Sequence, residues 1–150
     1  MCKTTIVPFV PEHLDAVELL ERECFSEPWS RAQLEATLTD ESTELFVALC
    51  DGQVAGYAGL SFVLDEGSVT DVAVFPPFRG RGFGRALVQR LKQRSQELRL
   101  AFITLEVRAS NQAAIALYQS EDFVPVGCRR DFYRKPTEDA VLMTWTNNEP

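Results

Sequence analysis

Arg79-Gly80-Arg81-Gly82-Phe83-Gly84 is the stretch of this chain best suited to holding an anion. Three glycines in six residues let backbone N–H groups crowd together where side chains would clash. A strand-like run over residues 69–75 precedes the turn and a helix-like run over 85–100 follows it, so the positive end of a helix points into the bend. That combination suits phosphate or pyrophosphate. Taken alone, the same pattern also reads as a tight strand-to-helix connection. A Walker-type loop needs Gly-Lys-Ser/Thr, where this chain has Gly84-Arg85-Ala86. A Rossmann site needs an opening βα unit with an acid at the end of the next strand. Glu106 lies near that place, but the chain reads as opening with helices and a hairpin. A second constellation follows in Leu-Glu-Val-Arg-Ala-Ser-Asn-Gln-Ala-Ala-Ile-Ala-Leu-Tyr. It sets a carboxylate (Glu106), an amide (Asn111) and a phenol (Tyr118) near the ligand-facing edge of a sheet. Each also has a plain structural reading, as a strand-end acid, a helix cap and a core aromatic.

The elements that must position these groups follow from periodicity and breakers. Residues 11–23 carry Leu14, Val17 and Leu20 at helical spacing, and Phe25-Ser26-Glu27-Pro28-Trp29-Ser30 breaks that helix. Ser30 is an N-cap candidate for a helix over 31–38. Strands are expected over 44–50 and 53–64, joined by Asp51-Gly52, a strong hairpin signal. A third strand over 68–75 stops at Pro76-Pro77. The helix over 85–100 puts Leu87, Leu91 and Leu98 on one face. A short buried strand over 101–107 leads to a helix over 112–120 capped by Asn111. Strands over 123–128 and 140–145 close the pattern, with 129–139 read as a polar loop and 147–150 as a frayed tail. The expected fold is α+β, with helices flanking one mixed, mostly antiparallel central sheet.

At 150 residues the chain is expected to form one domain, 1–150, with a substantial core. No run of eighteen apolar residues occurs and residues 1–5 lack an apolar signal core, so a cytoplasmic address without a membrane span is expected. The net charge of −7 argues against a general nucleic-acid binder. Basic residues nevertheless crowd one segment, Arg79 to Arg99, and favour a local anionic ligand over a merely solvated helix face. Cys2, Cys24, Cys50 and Cys128 show no paired spacing, so reduced thiols are expected. His13 is the sole histidine and reads as a surface residue, which removes most His-based triads and metal sites.

The chain resembles the GNAT superfamily of N-acetyltransferases from Ile6 to Trp145. The turn matches the family's Arg/Gln-x-x-Gly-x-Gly/Ala motif at Arg79, Gly82 and Gly84. Pro28-Trp29-Ser30, Asp71 to Val74, Leu105 to Asn111 with Tyr118, Arg129-Arg130 and Glu138-Asp139-Ala140 narrow the resemblance. They point to the branch that acetylates the N-terminal alanine of a small-subunit ribosomal protein. The resemblance implies acetyl-CoA as acetyl donor and no metal. It implies that backbone groups of Val72, Ala73 and Val74 pair with the pantetheine arm, that Gly80, Arg81, Gly82, Phe83, Gly84 and Arg85 hold the pyrophosphate, and that Asn111 contacts the cofactor near its thiol. Glu106 is then the proton acceptor, Tyr118 the proton donor, and Trp29 and Tyr133 line a groove for a protein or peptide N-terminus.

Elementary chemistry agrees with these roles. An amine attacks a thioester only when neutral, so a base must take its proton. The departing thiolate needs a proton, which a phenol can give. An α-amino group has a reference pKa of about 8 and lysine about 10.4, a gap of about 3.3 kcal/mol that favours the N-terminus. A lysine, polyamine or amino-sugar acceptor, or a CoA-binding module without turnover, remain the alternatives. The chain departs from the family at Glu121-Asp122-Phe123, where Leu-Gly-Phe is usual, and at Phe132-Tyr133, where close relatives carry Tyr-Tyr.

Overall fold

A computed structural model describes residues 2–148. Its centre is a seven-stranded sheet in the order β1-β2-β3-β4-β5-β7-β6. The elements run β1 (Thr4–Pro8), α1 (Leu14–Cys24), α2 (Arg31–Thr37), β2 (Thr43–Cys50), β3 (Gln53–Val63), β4 (Glu66–Val74), α3 (Phe83–Glu97), β5 (Phe102–Arg108), α4 (Gln112–Ser120), β6 (Val124–Tyr133) and β7 (Glu138–Thr146). Short 3-10 turns at Pro11–His13 and Pro76–Phe78 introduce α1 and the glycine turn. All pairings are antiparallel except β4 with β5. The expected α+β architecture is the one observed.

Local chemistry explains most of the boundaries. The β2–β3 hairpin turns on Asp51 and Gly52, with φ of 51° and 84°, the twist that matches right-handed strands. Ser30 accepts the Gln33 N–H at 3.1 Å while the Gln33 side chain accepts the Ser30 N–H at 2.8 Å, closing a capping box on α2. Asn111 caps α4 by accepting the Ala114 N–H at 3.1 Å. The sheet is covered on both faces. Leu87, Val88 and Leu91 of α3 pack on Leu60, Ile103, Leu105 and Met143. On the other face Val17 and Leu20 of α1 and Leu34 of α2 pack on Val47, Tyr57 and Ala73. Leu98, expected on the α3 apolar face, is partly buried.

Several expectations are corrected. The chain opens with a strand, because Thr4–Pro8 pairs antiparallel with Phe46 to Cys50. Five residues with exposed ends carry little periodicity, and only the β2 edge recruits them. The polar stretch over 129–139 is chiefly strand: β6 runs to Tyr133 and β7 starts at Glu138. As the outermost strand β6 keeps both faces open to solvent, so it has no apolar alternation to read. Helix α3 starts at Phe83, inside the expected turn. Cys2 and Cys50 are joined as a disulfide rather than standing as separate thiols, since the pairing of Thr4 with Cys50 brings Cys2, just before β1, to a Cα distance of 5.4 Å from Cys50. In the tail, Asn147 is buried and its amide donates to the Leu100 carbonyl at 2.9 Å, while residues 149–150 lie outside the described residues. No helix among the described residues is long and apolar enough to cross a membrane.

Candidate active site

β4 and β5 part company in the middle of the sheet. They pair only from Glu66–Phe102 to Ser68–Thr104, although β4 continues to Val74 and β5 to Arg108. The β3–β4 register shifts between Ala58 and Leu60, opposite Thr70 and Asp71, which bends β4 away. The far half of β4 is thus left with no sheet partner on its β5 side. Two cavities open at this split.

The first cavity, about 670 Å³, lies between the end of β4, the glycine turn and the start of α4. Val72, Ala73, Val74, Gly80, Gly82, Phe83, Gly84, Arg85, Asn111 and Tyr118 all line it. Gly80 and Gly82 have φ of 75° and 89°, a region closed to most L side chains. Gly84 answers a steric demand instead. A Cβ there would stand 3.3 Å from Leu117 Cδ2 and 3.9 Å from Val74 Cγ2, intruding on the wall between α3 and α4. The fifteen-residue α3 begins here with its first N–H groups free of intrahelical partners. Arg79, outside the expected site set except through its motif, also lines this cavity. Its Nε donates to the Val74 carbonyl at 2.9 Å and fixes the end of β4.

The side chains of two expected anion binders are engaged elsewhere. Arg81 does not line the cavity: its guanidinium lies over the rings of Phe78 and Phe83, 5.3 and 5.7 Å from their centroids, and its Nη2 reaches Cys2 Sγ at 3.5 Å. Arg85 lines the cavity, but its Nη1 pairs with Glu121 Oε2 at 2.7 Å. The crowded basic segment is largely self-neutralised. Lys92 binds Glu121, Arg94 binds Glu44 through two bonds, and Arg90 sits over Phe46. Negative charge at Glu121 and Glu44 is distant in sequence, so only the fold reveals this pairing.

The second cavity, about 340 Å³, lies on the other side of the split. Glu106 faces it, exposed between the buried Leu105 and Val107, because strand alternation turns it to the opposite face. Asn111 and Tyr118 line this cavity as well as the first, so the phenol stands where the two meet. Tyr133 lines it too and borders a further groove of about 600 Å³ that includes Trp29. Every expected site residue except Arg81 therefore borders one of these connected spaces.

The electrostatics favour a protonated phenol. Burial, then the charges of Asp71 and Tyr133, push the Tyr118 pKa above its ordinary value. Tyr133 is pushed up to about 12, chiefly by burial and then by Glu106, with Arg108 pulling the other way. Beneath the cavity lies a network the sequence gives no sign of. Tyr57 donates to Glu21 at 2.5 Å and lies 3.3 Å from Asp71, and Glu21 also accepts the Trp29 N–H at 2.8 Å. Burial, then the hydrogen bond and charge of Glu21, push the Asp71 carboxyl well above the usual carboxylate range, partly opposed by Tyr57. Glu21 thereby fixes the backbone of Trp29 at the groove wall. Asp122, the departure after α4, adopts a φ of 71°, so the left-handed turn is kept without glycine.

Residues 14–123 match the model of the acetyltransferase (GNAT) family. The chain is 36% identical over 143 residues to a [ribosomal protein bS18]-alanine N-acetyltransferase of Escherichia coli strain K12, covering 93% of this chain and 95% of that protein. It is 32% identical over 139 residues to a putative [ribosomal protein bS18]-alanine N-acetyltransferase of Bacillus subtilis, covering 92% of each. The crystal structure of the Escherichia coli ribosomal-protein-S18-alanine N-acetyltransferase superposes with a TM-score of 0.88 at 34% identity, over 96% of this chain and 94% of that one. With a split sheet, a glycine turn and these likenesses, the chain belongs to the GNAT family and is an N-acetyltransferase.

Proposed function

We propose that this protein transfers the acetyl group of acetyl-CoA to the N-terminal α-amino group of a protein, a ribosomal protein beginning with alanine being the acceptor. The observation that carries the reading is the meeting of two cavities at Tyr118 and Asn111, with Glu106 on the far side. The near-complete overlap with two ribosomal-protein alanine N-acetyltransferases supports the choice of acceptor.

The residues present suit the donor. An unpartnered length of β4 offers backbone groups to an extended amide-bearing arm, and the Gly80–Gly82 bend with the start of α3 offers N–H groups to a diphosphate. Acetyl-CoA, when bound, supplies a thioester carbonyl open to attack. Glu106 accepts the proton of the α-ammonium, directly or through water, leaving the neutral amine to form the C–N bond. A backbone N–H near Val74 stabilises charge developing on the carbonyl oxygen. As the C–S bond breaks, Tyr118, held protonated by burial, gives its proton to the leaving sulfur, and the attacking nitrogen loses its second proton to water to leave the neutral amide. Trp29 and Tyr133 wall the peptide groove.

The test is incubation with acetyl-CoA and a peptide copying an alanine-first ribosomal-protein N-terminus, followed by thiol release and mass analysis. One acetyl group on the α-nitrogen is expected. A folded sample that binds CoA but releases no thiol, or that acetylates only lysine, refutes the reading.

A further inference from the structure

Arg108, two residues beyond Glu106 on the same face of β5, is engaged on every side. Its Nη1 donates to the Pro136 carbonyl at 3.0 Å and to Glu138 Oε1 at 3.2 Å. Its Nη2 donates to the Arg134 carbonyl at 2.9 Å and to Ser26 Oγ at 3.2 Å. The guanidinium also lies 4.6 Å from the centroid of the Tyr133 ring. Ser26 closes the circuit, donating to the same Arg134 carbonyl at 3.0 Å. One planar group thus ties the α1–α2 loop, the β6–β7 connection and β5 together, and those three segments are the walls of the groove beside Glu106.

The β6–β7 connection needs such a tie. Lys135, within the connection, stands at a positive φ of 56° without being glycine, as does Asp131 near the end of β6 at 51°. Left-handed backbone crowds the Cβ of an L residue, so local preference disfavours this path. Bonds from Arg108 to the carbonyls of Arg134 and Pro136 hold both residues flanking Lys135. A lysine could supply the charge but not the planar fork that meets four acceptors in three directions.

We infer that Arg108 is a positioning residue for the acceptor: by fastening both groove walls and seating the Tyr133 ring, it sets the affinity for the peptide while leaving the donor cavity alone. None of its partners lines the cavity at the glycine turn. The inference rests on the peptide-acceptor reading above, and binding measurements separate its failure from failure of that reading.

The experiment compares wild type with Arg108→Ala, Arg108→Lys and Ser26→Ala. It reads the KM for an alanine-first peptide, the KM for acetyl-CoA, and calorimetric peptide binding to the CoA-loaded enzyme. Arg108→Ala is expected to raise the peptide KM by about 10- to 100-fold with the acetyl-CoA KM within twofold of wild type. Arg108→Lys should fall close to Arg108→Ala, and Ser26→Ala should show a smaller rise. Guanidinium ion at sub-denaturing concentration should restore peptide affinity to Arg108→Ala, and the same concentration of sodium chloride should not. Should Arg108→Ala fail to fold, Arg108→Lys and Ser26→Ala carry the same test. A peptide KM near the wild-type value, a parallel loss of acetyl-CoA affinity, or absence of guanidinium rescue in a folded variant overturns the inference. If wild type binds the peptide without transferring acetyl, the catalytic reading fails, while the calorimetric series still decides the role of Arg108.

Discussion

The two cavities that meet at Tyr118 are built by different means. The one at the glycine turn is made chiefly of backbone: the free edge of β4, two left-handed glycines and the start of α3, contributed by a stretch from Val72 to Arg85, with Cys24, Phe25 and the face of α4 completing the wall. The other, with the groove beside it, is made of side chains from segments far apart in sequence: Trp29 of the α1–α2 loop, Asp71 of β4, Glu106 and Arg108 of β5, and Tyr133 of β6. A backbone site recognises what every donor molecule shares, its diphosphate and amide arm. A side-chain site can be altered one residue at a time, which is why acceptor choice is proposed to lie there.

The largest test of this division is removal of the phenol on the shared border or of the carboxylate beyond it. Glu106→Gln or Tyr118→Phe should lower kcat/KM by about 100-fold or more while CoA affinity stays near wild type. A similar loss of CoA affinity, measured by calorimetry, would mean that the two halves are not separable. Next, Gly84→Val should strike the backbone half alone. Its Cβ meets Leu117 at 3.3 Å, and the added methyls point into the wall between α3 and α4. The expected result is an acetyl-CoA KM raised by about tenfold with peptide affinity unchanged, about 1.4 kcal/mol. An unchanged acetyl-CoA KM would show that the donor does not pass this wall.

Asp71→Asn probes the buried network under the side-chain half. The folded pKa of Asp71 is raised, so the native state holds its proton more tightly than the unfolded chain does. The corresponding stability is fully present below the unfolded carboxyl pKa of about 3.9 and is lost as pH rises toward the raised folded value. The asparagine variant lacks this loss. Relative to wild type it should therefore become more stable as pH rises above about 4, by up to about 1 kcal/mol per pH unit, in urea titrations at pH 5 and pH 8. A pH-independent difference would show that Asp71 does not hold its proton. The smallest effect is expected at Phe132→Tyr. Phe132 is exposed and packs edge-on against Tyr133, at 5.0 Å between ring centroids, on the groove side. Its hydroxyl should shift preference among alanine-first peptides by no more than about threefold, roughly 0.6 kcal/mol, without touching acetyl-CoA KM.

These differences match what could be read from the chain. Helix caps at Ser30 and Asn111, the Asp51-Gly52 hairpin and the Gly82 bend are decided by neighbours within a few residues, and each was legible. The strand β1 was not, because only the β2 edge makes Thr4–Pro8 a strand. Nor was the second half of β6, from Arg129 to Tyr133, whose two solvent-facing sides leave no alternation, although its first half was expected as a strand over 123–128. The lysine and arginine run looked like free positive charge until the fold brought Glu44 and Glu121 to it. Likewise nothing in the spacing of Cys2 and Cys50 foretells their bond, which the antiparallel β1–β2 register creates.

By itself, the order of residues determined the backbone chemistry of this protein: where the chain bends left-handed, where helices start, and that an acid, an amide and a phenol follow one strand. Those outcomes depend on φ preferences and on hydrogen bonds between near neighbours, which act before any long-range contact forms. Tertiary structure alone decided which charges are spent inside the molecule, that Arg81 turns away from the cleft toward Cys2, and that Arg108 clasps Ser26 to the β6–β7 connection. Such pairings join residues tens of positions apart, and their energies exist only once the sheet has fixed the distances between them.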